Sequence, residues 1–336
     1  FYELAGGSAR SAPKEYALAA ALATGIAIAG ATALLAGSHG RLIRMALETP
    51  GDRHGRFAHL HGRVEPLLAA LTRDQVQRAI AGFTLRTLLR SRAHLMLLAT
   101  YLGVGAALVV SVLLPQFLLR GLAAVESPSL PWLSAPLILT FFALCGSRTI
   151  LAIPADIKAN WLFRLHASDS CMPQVVDGAR AALLVAVVVP VAAAAGILGV
   201  WFWGVRSGGI HGVVTGALGV LLLEVLLVGF RKVPFACTYF PGRSRVRTMW
   251  PIYGLAFSVY AFSLAALEAA ALVRPVLLVP MLAVIAGVTS ALRFASRRDL
   301  QPPPGLTYEE SDPDGLFQGF RLSEGMAAES AATLRR

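Results

Sequence analysis

Long apolar stretches alternate with polar gaps along most of this chain. Seven stretches hold about 18–26 residues each, enough for an α-helix that rises ~1.5 Å per residue to cross ~30 Å of hydrocarbon. They lie at 16–37, 93–118, 132–153, 181–204, 209–230, 251–273 and 275–292. The pattern predicts an all-α fold, a polytopic transmembrane helical bundle of about seven spans.

The basic residues divide the polar gaps into two sets. Of the 30 Lys and Arg residues, 24 fall in every second gap, at 38–92, 154–180, 231–250 and beyond residue 292. Lys and Arg accumulate in the cytoplasmic loops of membrane proteins. We therefore expect the N-terminus outside and the C-terminus inside, with the bundle in the cytoplasmic (inner) membrane of a bacterium.

Composition agrees with a membrane protein and removes one class of partner. Hydrophobic residues make up 56% of the chain and charged residues only 15%, and the mean hydropathy is +0.64. The net charge of +11 is concentrated in the predicted cytoplasmic loops, where insertion topology and anionic headgroups account for it. We expect no nucleic-acid partner.

Motifs for catalysis and cofactor binding are missing from the sequence. It contains no P-loop, no G-x-S-x-G, no H-E-x-x-H and no C-x-x-C-H haem motif. Its histidine cluster, His54, His59 and His61, lies among arginines and makes a poor cation site. The three cysteines include no C-x-x-C pair. We expect free thiols, no structural metal, no cofactor and no enzymatic activity.

The polar segments outside the bundle differ in character. Four segments follow along the chain: an outer N-terminal segment with the first helix at 1–37, a cytoplasmic linker with a surface helix at 38–92, a six-helix bundle at 93–292 and a cytoplasmic polar tail at 293–336. The tail contains Pro302-Pro-Pro304 and an acidic run, so we expect it to be largely extended. The stretch at 16–37 has no basic segment before it and no small-residue cleavage site after it, which predicts a retained helix.

An amphipathic helix is predicted just before the second apolar stretch. Thr72-Arg-Asp-Gln75 has the spacing of a capping box, in which each side chain satisfies the other's free backbone N–H. Apolar and basic positions then alternate with helical periodicity: Val76, Ile80, Phe83, Leu85, Leu88 and Leu89 against Arg78, Arg86, Arg90 and Arg92. We expect a continuous helix at 72–92 on the inner headgroup layer, with Arg78 and Arg86 toward water. It serves either as an interfacial anchor or as a lever coupled to a cytoplasmic partner.

The lengths and sequences of the gaps between the apolar stretches predict further structure. The outer gaps at 205–208 and 274 are so short that the stretches flanking each gap should form antiparallel hairpins. The gap at 154–180 predicts a short amphipathic helix on the membrane surface, with Trp161 as an interfacial anchor. The segment 231–250 is Pro-broken, basic and aromatic, which predicts a turn region at the interface.

Three ionisable residues inside the predicted stretches form a candidate intramembrane polar site: Arg148, Glu224 and Glu268. Each is costly in hydrocarbon unless it is paired or wetted. Arg148 and Glu224 lie at equal depth, about 7–9 Å from the inner surface. We expect them to form a buried pair, which either fixes helix packing or acts as a polar gate or substrate site. Glu268 lies near the outer surface and is either a wet interfacial carboxylate or a functional group.

Small residues and prolines mark a candidate packing face and candidate hinges. The packing face consists of Gly208, Gly212, Gly216 and Gly219, whose spacing permits close helix approach. We interpret this face as packing rather than as a transport pathway. Pro190 and Pro280 remove helix hydrogen bonds and are expected to kink their helices.

The order of these elements resembles a known membrane architecture. From Thr72 onward an amphipathic cytoplasmic helix precedes six spans and a cytoplasmic C-terminus, and the first intracellular loop (154–180) carries a short amphipathic helix. Over about 75–295 this layout resembles the membrane-spanning subunit of ABC-2-type exporters, where an elbow helix precedes six spans and that loop docks the ATPase. Phe83-Thr-Leu-Arg-Thr-Leu-Leu-Arg-Ser91 and Ile153-Pro-Ala-Asp-Ile-Lys-Ala-Asn160 also look like segments of large, uncharacterised bacterial multi-pass proteins. Arg274-Pro275 leaves no room for the re-entrant helices that the exporter class has between its last two spans.

Two function classes remain open. The resemblance implies an exporter permease-like subunit that works with a separate cytoplasmic ATPase. The scarcity of intramembrane polar groups favours instead a non-catalytic structural subunit of a larger membrane complex. In both cases the expected partners are the lipid bilayer and other protein subunits.

Overall fold

The computed structural model describes residues 25, 29, 64–154, 172–230, 232–236 and 246–300, without the side chains of 246–251. Every regular element in this part of the chain is helical, which confirms the predicted all-α fold. Five helical runs in it are long and apolar enough to cross a membrane, as expected of a multi-pass membrane protein: Arg92–Val125, Leu130–Leu151, Met172–Leu227, Ile252–Val273 and Pro275–Asp299. The predicted first span at 16–37 lies outside the described residues, apart from helical Gly25 and Ala29.

The described helices are named here in chain order. They are α1 (Gln75–Arg90), α2 (Arg92–Arg120), α3 (Leu130–Leu151), α4 (Met172–Leu183), α5 (Val189–Leu227), α6 (Val246–Ser258), α7 (Leu264–Val273) and α8 (Leu278–Asp299). Two π-helical turns, Leu184–Val188 and Val259–Ser263, join α4 to α5 and α6 to α7. A short helical segment at 64–71 precedes α1.

The central helix of the bundle is α3. In its most apolar stretch 61% of the residues are buried, against 6% in that of α2. Leu133, Leu137 and Leu144 are fully buried on α3, and α2, α5 and the 259–273 segment pack around it. The apolar surface that α2 leaves exposed is suited to contact with lipid or with another membrane helix.

The long run from Met172 to Leu227 reverses its direction at Gly204. This residue has φ 81° and ψ 169°, a backbone conformation that glycine adopts without strain. Residues on either side meet in pairs, since Gly196 packs on Gly212 and Gly199 packs on Gly208. α5 is therefore an antiparallel hairpin with a first arm at 189–203 and a second arm at 205–227, as the short gap at 205–208 predicts.

The surface helix α1 is shorter than expected and is not capped as expected. It spans Gln75–Arg90 and is separated from α2 by the extended residue Ser91, so 72–92 is not one continuous helix. The capping box was the wrong interpretation of Thr72, whose hydroxyl donates to the carbonyl of Leu68 (2.6 Å) and closes the preceding helical segment. The N-cap of α1 is Asp74, and its side chain makes no capping hydrogen bond.

One face of α1 is docked on α4. A Cβ at Gly178 would lie 2.7 Å from the Gln77 carbonyl oxygen and 2.8 Å from the Ile80 Cβ, so only glycine allows the two helices to approach this closely. Arg86 is exposed, whereas Arg78 is half-buried, with its Nε 3.5 Å from Thr72 Oγ1. α1 is thus packed on the bundle as well as amphipathic.

The segment 232–236 packs into the same end of the bundle as α1. Val233, Phe235 and Ala236 are buried, and the N–H of Phe235 donates to the carbonyl of Leu151 at the end of α3 (3.0 Å). The Phe235 ring makes edge contacts with Phe83 and His94. This part of the predicted interfacial turn region is therefore covered by protein.

Candidate functional site: two buried ionic clusters

A cluster of opposite charges lies where α4, α5 and α8 meet. Arg180 on α4 forms an ion pair with Asp177, one turn earlier on the same helix. Its Nε also lies 2.8 Å from Oε1 of Glu224, near the end of the second arm. The side chains of Arg180 and Glu224 are only 3% and 2% exposed. The pair is therefore shielded from solvent. In such a buried site the attraction between opposite charges is stronger than in water.

The same cluster reaches the surface through α8. Arg297 Nη2 lies 3.0 Å from Asp177 Oδ2, and Arg293 Nη2 lies 3.9 Å from Asp177 Oδ1. Both arginine side chains are about half exposed. We call these five residues (Asp177, Arg180, Glu224, Arg293 and Arg297) the Arg180 cluster. It joins the ends of three helices and contains one more guanidinium than carboxylate.

The partner of Glu224 is not the one that the sequence predicts. Arg148 lies elsewhere: its Nε donates to the carbonyl of Leu226, and its guanidinium lies over the Phe230 ring, 5.6 Å from the centroid. Arg180 is the last residue of the predicted gap 154–180, but α4 already begins at Met172, so Arg180 lies two turns inside a helix. The i,i+3 spacing of Asp177 and Arg180 directly before an apolar stretch is the signal that indicates this helix start.

A second cluster lies near the Gly204 turn, at the opposite end of the second arm. His211 Nδ1 is 2.7 Å from Oε1 of Glu268 on α7, with the two side chains 3% and 0% exposed. The Trp203 ring packs edge-on against His211, with the centroids 5.5 Å apart. Trp203 Nε1 also donates to the carbonyl of Val125 (2.8 Å), just beyond α2. We call Trp203, His211 and Glu268 the His211 cluster.

The burial of Glu268 corrects its predicted environment. A wet interfacial carboxylate would be solvent-exposed, but the second arm and α7 enclose this side chain completely. Depth along the helix does not predict burial, because a residue near the end of a span can face its neighbours. No sequence pattern indicates the contribution of His211, because its partner lies 57 residues away in the sequence.

Each cluster leaves one carboxylate oxygen unsatisfied. Within the part of the chain that the structure describes, Glu224 Oε2 and Glu268 Oε2 are buried without a hydrogen-bond partner. Such an acceptor costs free energy that a bound proton, water or ligand group would recover. These two are the carboxylate oxygens among the ten buried side-chain atoms of the described residues that have no hydrogen-bond partner.

The glycine face of the second arm lies inside the α5 hairpin. A Cβ on Gly208 would lie 2.0 Å from the Val200 backbone nitrogen, and one on Gly212 would lie 2.8 Å from the Gly196 Cα. Gly216 faces Ala192, and Gly219 faces Val188. The glycines let the two arms touch along their length.

The two candidate hinges differ in position. Pro190 directly follows the π-helical turn Leu184–Val188, inside the helical run that begins at Met172. Pro280 lies in the first turn of α8, where a missing N–H removes no intrahelical hydrogen bond. The expected loss of a helix hydrogen bond therefore does not occur at Pro280.

Metal-ligand groups are sparse in the described ranges. No group of three or more His, Cys, Asp or Glu side chains is arranged there to hold a metal ion, and Cys145 is a free, half-buried thiol. His54, His59, His61, Cys171 and Cys237 lie outside the described residues. A cavity of about 10 Å³ lies beside the Arg180 cluster, between Leu227, Phe230 and Ser296. It has room for a single water at most.

Comparison with known proteins adds no relative to this picture, since no family model, no curated protein and no solved structure matches the chain.

Proposed function

We propose that this chain is an integral membrane component of a transport system, an exporter permease-like subunit that works with a separate cytoplasmic ATPase. The proposed topology has seven spans in a bacterial inner membrane, with the N-terminus outside and the C-terminus inside. The fold-back at Gly204 supports two crossings by the run Met172–Leu227. The distribution of Lys and Arg supports the orientation.

The observation that carries the proposal is a continuous line of contacts from α1 into the bundle. α1 packs on α4 at Gly178. Two residues further along α4, Arg180 contacts Glu224 on α5, and Asp177 contacts Arg297 on α8. A cytoplasmic partner that shifts α1 would therefore act directly on the helix whose charges hold α5 and α8 in place. A partner-driven exporter requires such a coupling between its cytoplasmic and membrane parts.

The buried ion pairs also support a part that moves. Intramembrane charges are costly and usually mark substrate, ion or proton pathways. The Arg180–Glu224 contact links different helices, so it breaks when those helices separate. A pair of this kind allows two discrete helix arrangements, one with the contact and one without it.

Co-purification from the native membrane tests the proposal. We expect an ATPase to be recovered in stoichiometric amounts with the chain, and to be lost from a Gly178→Val variant whose α1 is displaced. Gly82→Ala is the matched control, because a Cβ at Gly82 meets no atom within 4 Å. Recovery of the chain without any ATPase, from membranes where it is abundant, would refute the exporter assignment.

The alternative is a non-catalytic structural subunit of a larger membrane complex. Two observations favour it: the apolar surface that α2 leaves exposed, and the small size of the cavity beside the Arg180 cluster. Both suit a helix bundle that packs statically against partner subunits. Co-purification with a cofactor-bearing complex in place of an ATPase would establish this alternative.

A further inference from the structure

We propose that His211 and Glu268 form a proton-binding site near the Gly204 turn, with Oε2 of Glu268 as the atom that takes up the proton. This inference goes beyond the proposed function, because proton binding requires neither a substrate nor a partner subunit. It rests on the geometry of the His211 cluster and on the charges around it.

The geometry leaves one oxygen available for a proton. Oε1 of Glu268 is 2.7 Å from His211 Nδ1, whereas Oε2 is buried without a hydrogen-bond partner among the described residues. A carboxylate oxygen in an apolar environment is poorly stabilised as an anion. A proton on Oε2 removes the charge that the surroundings leave unsatisfied.

The proton balance of the site is simple. The proposed starting state has His211 as imidazolium and Glu268 as carboxylate, and it is neutral overall. Uptake of one proton from water forms an O–H bond at Oε2 and leaves a neutral carboxylic acid beside the imidazolium. Release of the same proton restores the ion pair, and no other bond forms or breaks.

Few charged side chains lie on the elements around this pair, apart from the exposed Glu126, which directly follows the Val125 whose carbonyl accepts from Trp203. The first arm (189–203), α3 from Leu130 to Leu144 and α8 from Leu278 to Leu292 contain no ionisable side chain. The charged residues nearest in sequence to the pair are Arg206 and Arg274, both exposed. Tyr260, whose hydroxyl is buried, lies eight residues before Glu268.

The site lies close to one end of the second arm. His211 lies seven residues beyond Gly204, about 10 Å along the helix axis, and Gly204 is exposed. The Trp203 ring, on the residue before Gly204, packs edge-on against the imidazole. A proton thus has a short route from the end of the bundle, whereas the Arg180 cluster lies near the other end of the same arm.

Proton uptake changes how the second arm is held to α7. Opposite charges in a buried pair attract each other strongly, whereas an imidazolium and a neutral acid interact only through a hydrogen bond. The protonated site therefore holds the α5 hairpin to α7 less firmly. Proton binding and helix packing are coupled through this contact.

Infrared difference spectroscopy of the purified full-length chain, recorded while the pH is lowered, tests the proposal directly. We expect the spectrum to gain a carbonyl band of a carboxylic acid in apolar surroundings. The band should be absent from Glu268→Gln, which keeps a group able to hydrogen-bond His211. It should persist in the control Glu126→Gln, since Glu126 is exposed. The proposal is overturned if the wild-type and Glu268→Gln spectra agree between roughly pH 4 and pH 9.

A second variant tests whether the two residues act as a pair. Without the imidazolium, the carboxylate loses its stabilising charge, so in His211→Gln the band should appear at a pH higher by about one unit or more. An unchanged midpoint would show that Glu268 titrates independently and would overturn the paired site.

A measurement without any substitution in the pair covers the case in which those variants do not fold. The difference in emission between the wild type and Trp203→Phe isolates the fluorescence of the ring that contacts His211. We expect this difference to change in one step over the pH range of the infrared band. A difference independent of pH contradicts the proposal.

Discussion

Arg180 shows, at the scale of single residues, how this bundle accommodates buried charge. Its guanidinium contacts one carboxylate on its own helix and a second on α5, and only 3% of its side chain is exposed. Glu268 has a single partner, His211, and is completely enclosed. Each buried charge has a partner of opposite sign or a carbonyl within reach, which is the condition for a charge in a low-dielectric environment to be tolerated.

The first prediction concerns the Arg180–Glu224 pair. Arg180→Met leaves the buried Glu224 carboxylate without its partner and should lower the free energy of unfolding by ~3–5 kcal/mol. Glu224→Gln should cost less, because Arg180 keeps its contact with Asp177, and the double variant should cost far less than the sum of the two single variants. Thermal unfolding in detergent measures the cycle. The control cycle combines Arg148→Met with Glu224→Gln, which should be additive because Arg148 contacts the Leu226 carbonyl. Coupling in the control cycle and additivity in the first would contradict the contacts described here.

The second prediction concerns Gly208. A Cβ there would lie 2.0 Å from the Val200 backbone nitrogen, so Gly208→Ala should force the arms of the hairpin apart and destabilise the protein by ~1–3 kcal/mol or more. Gly209→Ala is the matched control, since a Cβ at Gly209 meets nothing within 4 Å. That variant should leave stability unchanged or raise it slightly, because alanine favours a helix. Equal melting temperatures for the two variants would show that the arms do not pack at Gly208.

At the scale of elements, the docking of α1 on α4 distinguishes this protein from a bundle with a free amphipathic anchor. Ala81, Ala181 and Ala182 are buried where the two helices meet. Gly178 has no side chain at the contact point, which lets the helices approach closely. α1 then leads into α2 with only Ser91 between them. A displacement of α1 is thus transmitted to two helices of the bundle.

The third prediction tests that docking. Gly178→Val should push α1 off α4, because the Gln77 carbonyl would meet a side chain at 2.7 Å. Hydrogen exchange should become faster in the backbone amides of 75–90 and stay slow in α3, which does not contact Gly178. Gly82→Ala adds a methyl group on α1 itself and should leave exchange unchanged. Unaltered protection of α1 in Gly178→Val would mean that lipid, rather than α4, holds this helix.

At the scale of the whole molecule, the two clusters lie toward opposite ends of one transmembrane arm. The second arm contributes His211 near its beginning and Glu224 near its end, about 20 Å apart along the helix axis. Helix α7 contacts the first of these residues through Glu268, and α4 contacts the second through Arg180. The second arm is therefore held by polar contacts at both ends, with an apolar middle that includes Leu218 and Leu222.

The fourth prediction concerns orientation in the membrane. If the basic gaps are cytoplasmic, a cysteine at Leu122, which is 84% exposed beyond α2, should react with an impermeant maleimide added outside. A cysteine at position 243 should react only after the membrane is permeabilised. The background replaces Cys145, Cys171 and Cys237 to remove competing thiols. Labelling of both positions from the same side would refute the topology.

The predictions from sequence were correct where the pattern of apolar and polar residues along the chain is enough to dictate the structure. Unbroken apolar runs specify transmembrane helices because every backbone polar group must be satisfied within the helix. The short gap at 205–208 likewise indicates the hairpin. The packing face of Gly208, Gly212, Gly216 and Gly219 indicates that the two arms pack closely. The capping box failed because Thr72 had two acceptable helical roles, and the preceding segment at 64–71 decided between them.

The sequence by itself determined the all-helical fold, the approximate ranges of the apolar helices in the described part of the chain, and three residues whose charges are costly in the membrane. Only the tertiary structure decided which charges meet: Glu224 with Arg180 rather than with Arg148, and Glu268 with His211 in a fully enclosed site. The physical reason is that helical periodicity and hydropathy are properties of neighbouring residues along the chain. An ion pair between helices depends on their rotation and register against each other, which packing across the whole bundle sets.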